Sequence, residues 1–267
     1  MRQYLSFFKL RFITSLQYRS AAIAGIFTQF FFGLLFIMVY LKFYETGSNN
    51  VAMTLEQTIT YLWLQQALFS IIYFYHREKD ITTMIKNGNV AYELCRPGNV
   101  YIKWFVRIYA TRLANVMMKF LPIIVVGLIL PKPFKLLLPA GIEYFIGFII
   151  TFVLGSFLMA SIDALLHILI FYTIDADGIL TSFRVVGELF AGGIVPILFL
   201  PKFLQNISKY LPFQYINDMP FRIYLGIENI SSLIITILIQ LVWIIIVIII
   251  GLVLSKKALK KVVVQGG

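Results

Sequence analysis

The sequence predicts an all-α, polytopic membrane protein with six transmembrane helices, both termini cytoplasmic and an amphipathic interfacial helix at the N-terminus. Three observations carry this expectation. Of the 267 residues, 60% are hydrophobic and only 13% charged, whereas a soluble domain carries about a quarter charged residues. The apolar residues gather into blocks that reach or approach the about 20 residues of helix needed to cross a bilayer. The basic residues sit between those blocks with a strong bias to one side, as the positive-inside rule dictates.

The elements follow in chain order. Residues 1–20 carry Leu5, Phe8, Phe12 and Leu16 at helical spacing, with Arg2, Lys9 and Arg11 mostly off that stripe. This is the pattern of a helix lying among lipid headgroups. Arg19 falls back on the apolar stripe and has to snorkel, so a plain cytoplasmic lead-in is an alternative. Six apolar blocks follow, at about 21–41, 58–75, 109–130, 141–172, 183–200 and 231–254. The first is too long for the apolar region of a signal peptide and reads as a retained span. Only helices and closed barrels satisfy backbone groups in lipid, and the blocks lack the alternation of barrel strands. Without an internal repeat or a shift in composition, residues 1–267 read as one membrane domain.

Orientation follows from the Lys and Arg count. Sixteen lie on one side of the blocks and six on the other, with Lys119 inside the third block. The richer side is cytoplasmic, which places both termini and the loop 76–108 in the cytosol and the segment 201–230 outside. That outer segment is apolar and aromatic and is punctuated by Pro201, Pro212 and Pro220. Short helices lying on or dipping into the outer leaflet are expected there.

Several function classes are excluded by residue count. The net charge of +11 could suggest a nucleic-acid partner, but the cations flank apolar blocks, where anionic lipid headgroups attract them. A lone cysteine, Cys95, rules out an intramolecular disulfide and a multi-cysteine metal site, and two histidines cannot supply a three-His zinc set. No segment matches the Gly-rich phosphate loop with its Lys. The chain alone is therefore expected to be no enzyme and to hold no cofactor.

Polar candidates within the blocks are few. Asp163 and His167 are four residues apart and share a helix face. They could form a proton relay, or a structural pair at the cytoplasmic headgroup level, since the 32-residue fourth block exceeds what a span needs. Arg184 and Glu188 repeat the spacing as a snorkelling pair at a helix end. Lys119 either lines a polar cavity or meets a partner helix. In the fifth block, Gly187 and Ala191 permit close helix packing and Pro196 a kink.

The cytoplasmic loop is the most informative segment. Asn87-Gly88-Asn89 and Arg96-Pro97-Gly98 are turn signals. They frame a short helix offered to a soluble partner, or else an ordinary solvated loop. The run from Ile85 to Pro97, with Gly192 to Pro196, Leu200-Pro201, Leu211-Pro212-Phe213, Pro220 and Gly226 in the outer segment, resembles the membrane subunits of the type-2 ABC exporter superfamily, in its short six-span branch.

That resemblance implies a permease subunit that couples ATP hydrolysis in a separate cytosolic ATPase dimer to export across the plasma membrane. ATP and Mg would be bound by that partner, a second permease, identical or related, would complete the membrane unit, and lipid would surround it. The multi-pass protein would sit in a bacterial cell membrane. By the same resemblance the loop carries a coupling helix, with Ile85, Lys86, Gly88, Tyr92, Glu93, Leu94, Arg96 and Pro97 as ATPase contacts. Gly88 would permit the turn, Tyr92 and Leu94 would pack, and Glu93 and Arg96 would pair. The alternatives are an ion- or proton-coupled carrier or intramembrane enzyme using Asp163, His167 and Lys119, and a structural or immunity-type membrane anchor.

Overall fold

The computed structural model describes residues 2–46, 52–74, 78–90, 93, 98–173 and 176–260, with Lys79 and Ala176 by backbone alone. Its α-helices are α1 (Arg2–Ser15), α2 (Arg19–Glu45), α3 (Leu55–Ile72), α4 (Lys79–Lys86), α5 (Val100–Ile129), α6 (Ile142–Leu169), α7 (Ala176–Phe190), α8 (Lys202–Lys209), α9 (Asp218–Tyr224) and α10 (Leu233–Leu259). No strand occurs among the described residues. Among the described residues, four stretches are long and apolar enough to cross a membrane: Arg19–Glu45, Val100–Ile129, Ile142–Tyr172 and Ile230–Leu259. The molecule is a multi-pass membrane protein.

Helix α3, from the second apolar block, sits differently. It has 18 residues, and every one from Thr58 to Leu68 is buried, among α2, α5 and α6. A capping box between Thr54 and Gln57 fixes its start. Its Gln65 and Gln66 would be costly against lipid, but here they face protein, where irregular backbone can take their hydrogen bonds. Trp63 fits because small residues face it. A Cβ on Gly33 of α2 would lie 3.3 Å from its ring, and one on Gly127 of α5 3.4 Å. Its indole N–H donates to the Phe134 carbonyl at 2.8 Å.

The fifth apolar block is not one continuous helix. Helix α7 begins earlier, at Ala176, and stops at Phe190. The stop is a Schellman motif: Gly192 has φ +75°, the Gly193 N–H reaches the Glu188 carbonyl at 2.8 Å, and the Gly192 N–H reaches that of Leu189 at 3.3 Å. Pro196 then precedes a 3-10 turn, Ile197–Phe199. The close packing at Gly187 is with an aromatic ring, since a Cβ there would meet Phe74 at 2.6 Å.

The segment 201–230 folds back against the bundle as short helices. Gly155 of α6 lets the chain at Ile216 approach so closely that a Cβ would sit 2.7 Å from the Ile216 carbonyl oxygen. Gln240 of α10 donates to the Thr151 and Tyr215 carbonyls at 2.8 and 2.7 Å, stitching α10 and α6 to that segment. Helix α1 lies along the start of α5, where the Asn99 N–H donates to the Tyr4 hydroxyl at 3.0 Å and the Phe8 and Tyr109 rings stand 6.2 Å apart.

Candidate functional site

The segment predicted to form the cytoplasmic loop is held to the start of α5 by cations. Arg107, buried, donates through Nε to Glu78 at 3.0 Å and through Nη2 to Asp80. Lys103, also buried, donates to the Glu93 carbonyl oxygen at 3.0 Å and stands 4.0 Å from its carboxylate. Helix α4 therefore lies clamped against α5. Its Ile81 and Thr82 are buried and Ile85 is half-buried against the core. Asp80, Thr83 and Lys86 point outward. Arg11 of α1 joins this cluster, and burial, then the nearby Arg107, lowers the pKa of its guanidinium.

At the Asn87-Gly88-Asn89 turn, Gly88 has φ +72° and nothing lies within 4 Å of where a Cβ would stand. Asn87 and Asn89 are exposed and Val90 turns back into the core. Val90 and Glu93 are helical. Tyr92, Leu94, Arg96 and Pro97 lie outside the described residues. Among the predicted ATPase contacts, Lys86 and Gly88 share the outer edge, while Ile85 and Glu93 are engaged inward.

Deeper in, Asp163 and His167 are fully buried, and the carboxylate is taken by a residue that spacing did not indicate. Arg112 of α5 donates to Asp163 Oδ2 from Nε at 3.1 Å and Nη2 at 2.7 Å. Its Nη1 donates to the Ile71 and Tyr73 carbonyls at 3.0 and 2.9 Å, so one guanidinium joins α5, α6 and the end of α3. The His167 Nδ1 lies 2.8 Å from the Asp163 main-chain oxygen and 3.4 Å from its carboxylate. A guanidinium does not give up its proton. The arrangement is a clasp between helices, and Arg112, one of the sixteen basic residues on the richer side, is its centre.

The remaining polar candidates are elsewhere. Arg184 Nε stands 3.3 Å from Glu188 on α7, and the Arg184 guanidinium lies 5.1 Å over the Tyr73 ring. Lys119, within α5, donates to Ser70, near the end of α3, at 3.2 Å. A second buried network escaped sequence reading. Tyr61 donates to the Gly192 carbonyl at 3.0 Å and to Asp218 at 3.1 Å, the Ile197 N–H donates to Asp218 at 3.1 Å, and Arg222 bridges Asp218 and Glu228 at 3.0 and 3.2 Å. Its local signal in the sequence is the four-residue spacing of Asp218 and Arg222.

The comparisons with known proteins give one family. The model described as "ABC-2 family transporter protein" matches residues 26–266. A search of the curated proteins gives no match.

Proposed function

The chain belongs to the ABC-2 family of transporter proteins, and on that premise we propose that it is the permease subunit of an ATP-driven exporter, working with a separate cytosolic ATPase dimer and a second permease in a bacterial plasma membrane. ATP and its Mg ion belong to the ATPase. Six crossings are read from the four long apolar helices, the protein-wrapped α3, and α7 with its capped end. The bias of basic residues sets both termini in the cytosol.

The single observation that carries the coupling role is the clamp of α4 and Glu93 onto α5. A push on the exposed edge formed by Asp80, Thr83, Lys86 and the Gly88 turn would pass through the Arg107 and Lys103 contacts into α5. Arg112 would then share it with α3 and α6. Buried, charge-assisted contacts suit this task because they yield in discrete steps, not continuously.

The test is co-purification of the tagged permease with its ATPase. Lys86→Glu, exposed and outside the clamp, and Arg96→Ala are expected to lower ATPase recovery and ATP-driven transport together, with the permease itself still monodisperse. Unchanged assembly and transport in the double variant would remove the loop from the coupling role. Solute flux through the permease without any ATPase, lost in Asp163→Asn, would favour the carrier reading instead.

A further inference from the structure

Two cavities adjoin one another among α2, α3, α5 and α7, sharing Gln29, Phe69 and Tyr73 in their walls. The smaller, about 160 Å³, contains Lys119, Asn115 and Ser70. The larger, about 390 Å³, is lined mainly by apolar groups, among them Phe32, Phe36, Phe69 and Phe74. That volume lies in the range of about 300–1,000 Å³ usual for small-molecule sites.

The chemistry of the two chambers differs. Lys119 donates to Ser70, but among the described residues no carboxylate lies within ion-pair distance of it. Gly25 of α2 leaves it room, since a Cβ there would stand 2.8 Å from the Lys119 Nζ. An ammonium in a confined, partly desolvated place is stabilised most by an anion. In the larger chamber, Asn217 is 2% exposed, and its Oδ1 has no hydrogen-bond partner. That oxygen offers an acceptor to a hydroxyl or amide N–H on a bound molecule. The carboxylate in the wall, Glu188, is engaged by Arg184, which limits its repulsion of an anion.

We infer that the two chambers form one binding site for an amphipathic anion, its charged head on Lys119 and its apolar body among the four phenylalanines. The head is a carboxylate or phosphate, supplied by a free amphiphile or by an inner-leaflet phospholipid. The inference deepens the export reading by naming a class of cargo and rests on that reading only for the word cargo. The binding itself needs no ATPase.

The full chain in nanodiscs of zwitterionic lipid is exposed to a diazirine-bearing oleate, irradiated, and its labelled peptides are identified. Labelling is expected on α2, α3 and α7, to be competed by oleate, and to fall by about tenfold or more in Lys119→Gln, the loss of one charge-assisted contact, while Lys119→Arg retains it. Should Lys119→Gln fail to fold, Gly25→Ala, which crowds the ammonium, is read the same way. Nanodiscs containing phosphatidylglycerol separate the sources: suppressed labelling assigns the head to a phospholipid, and persistent labelling assigns it to a free anion. Labelling that ignores Lys119, or that oleyl alcohol competes as well as oleate does, overturns the site. That outcome leaves the export reading intact, whereas loss of ATPase assembly alone leaves the site intact.

Discussion

Arg112 and Asp163 are both essentially excluded from solvent, and the physics of such a pair is asymmetric. Desolvating two ions costs nearly what their attraction returns, yet removing one leaves the other uncompensated, a loss of about 3–5 kcal/mol. Arg112→Met should therefore lower the thermal stability of the detergent-solubilised protein strongly. Adding Asp163→Leu should restore much of it, though not all. The Ile71 and Tyr73 carbonyls would still lack their guanidinium donor, a residual loss of about 1–3 kcal/mol. A double variant no more stable than Arg112→Met would show that the two residues do not act as a pair. The contact joins positions 51 residues apart, so periodicity could place Asp163 with His167 on one helix face but could not bring a second helix to it. What the sequence did offer was a rule: a carboxylate within an apolar block finds a cation.

At the scale of the element, glycines separate backbone demand from packing demand. Gly88 and Gly192 have almost the same φ, +72° and +75°, so an alanine at either meets left-handed strain of about 1 kcal/mol. Their surroundings differ. Nothing lies within 4 Å of a Cβ at Gly88, whereas one at Gly192 would stand 2.9 Å from the Asp218 carboxylate and crowd the Tyr61 hydroxyl. Gly88→Ala should thus lower stability by about 1 kcal/mol, and Gly192→Ala by about 2–4 kcal/mol once overpacking is included. Melting temperatures in one detergent check the order, and equal shifts would contradict it. The same contrast explains which elements were legible. The Gly88 turn is written in consecutive residues. The fifth block was read as a span because its composition is apolar through Leu200, but Gly192 and Gly193 form a helix stop whose meaning depends on the N–H groups they aim at Glu188 and Leu189. Helix α3 shows the converse: its glutamines mark a helix surrounded by protein, and the average apolarity of the block concealed it.

For the whole molecule, the charge count and the packed structure make independent statements. Sixteen basic residues against six predict the orientation of the chain in a membrane. The clamp of α4 onto α5 and the reach of Arg112 to α3 and α6 concern internal rigidity and would be the same in either orientation. A labelling experiment on the native Cys95, the sole cysteine, joins the two. In right-side-out membrane vesicles an impermeant maleimide should leave Cys95 unmodified until the vesicles are opened, because the proposed topology puts the loop 76–108 on the cytosolic side. After opening, bound ATPase should protect it, since Cys95 lies between the predicted contacts Glu93 and Arg96. Lys86→Glu should remove that protection without changing labelling of the permease alone. Modification from outside would invert the topology, and with it the assignment of the coupling loop. Cytosolic labelling that the ATPase never slows would keep the topology and move the docking surface to another part of the cytoplasmic face, with the start of α5 and the adjoining α1 the nearest remaining candidates.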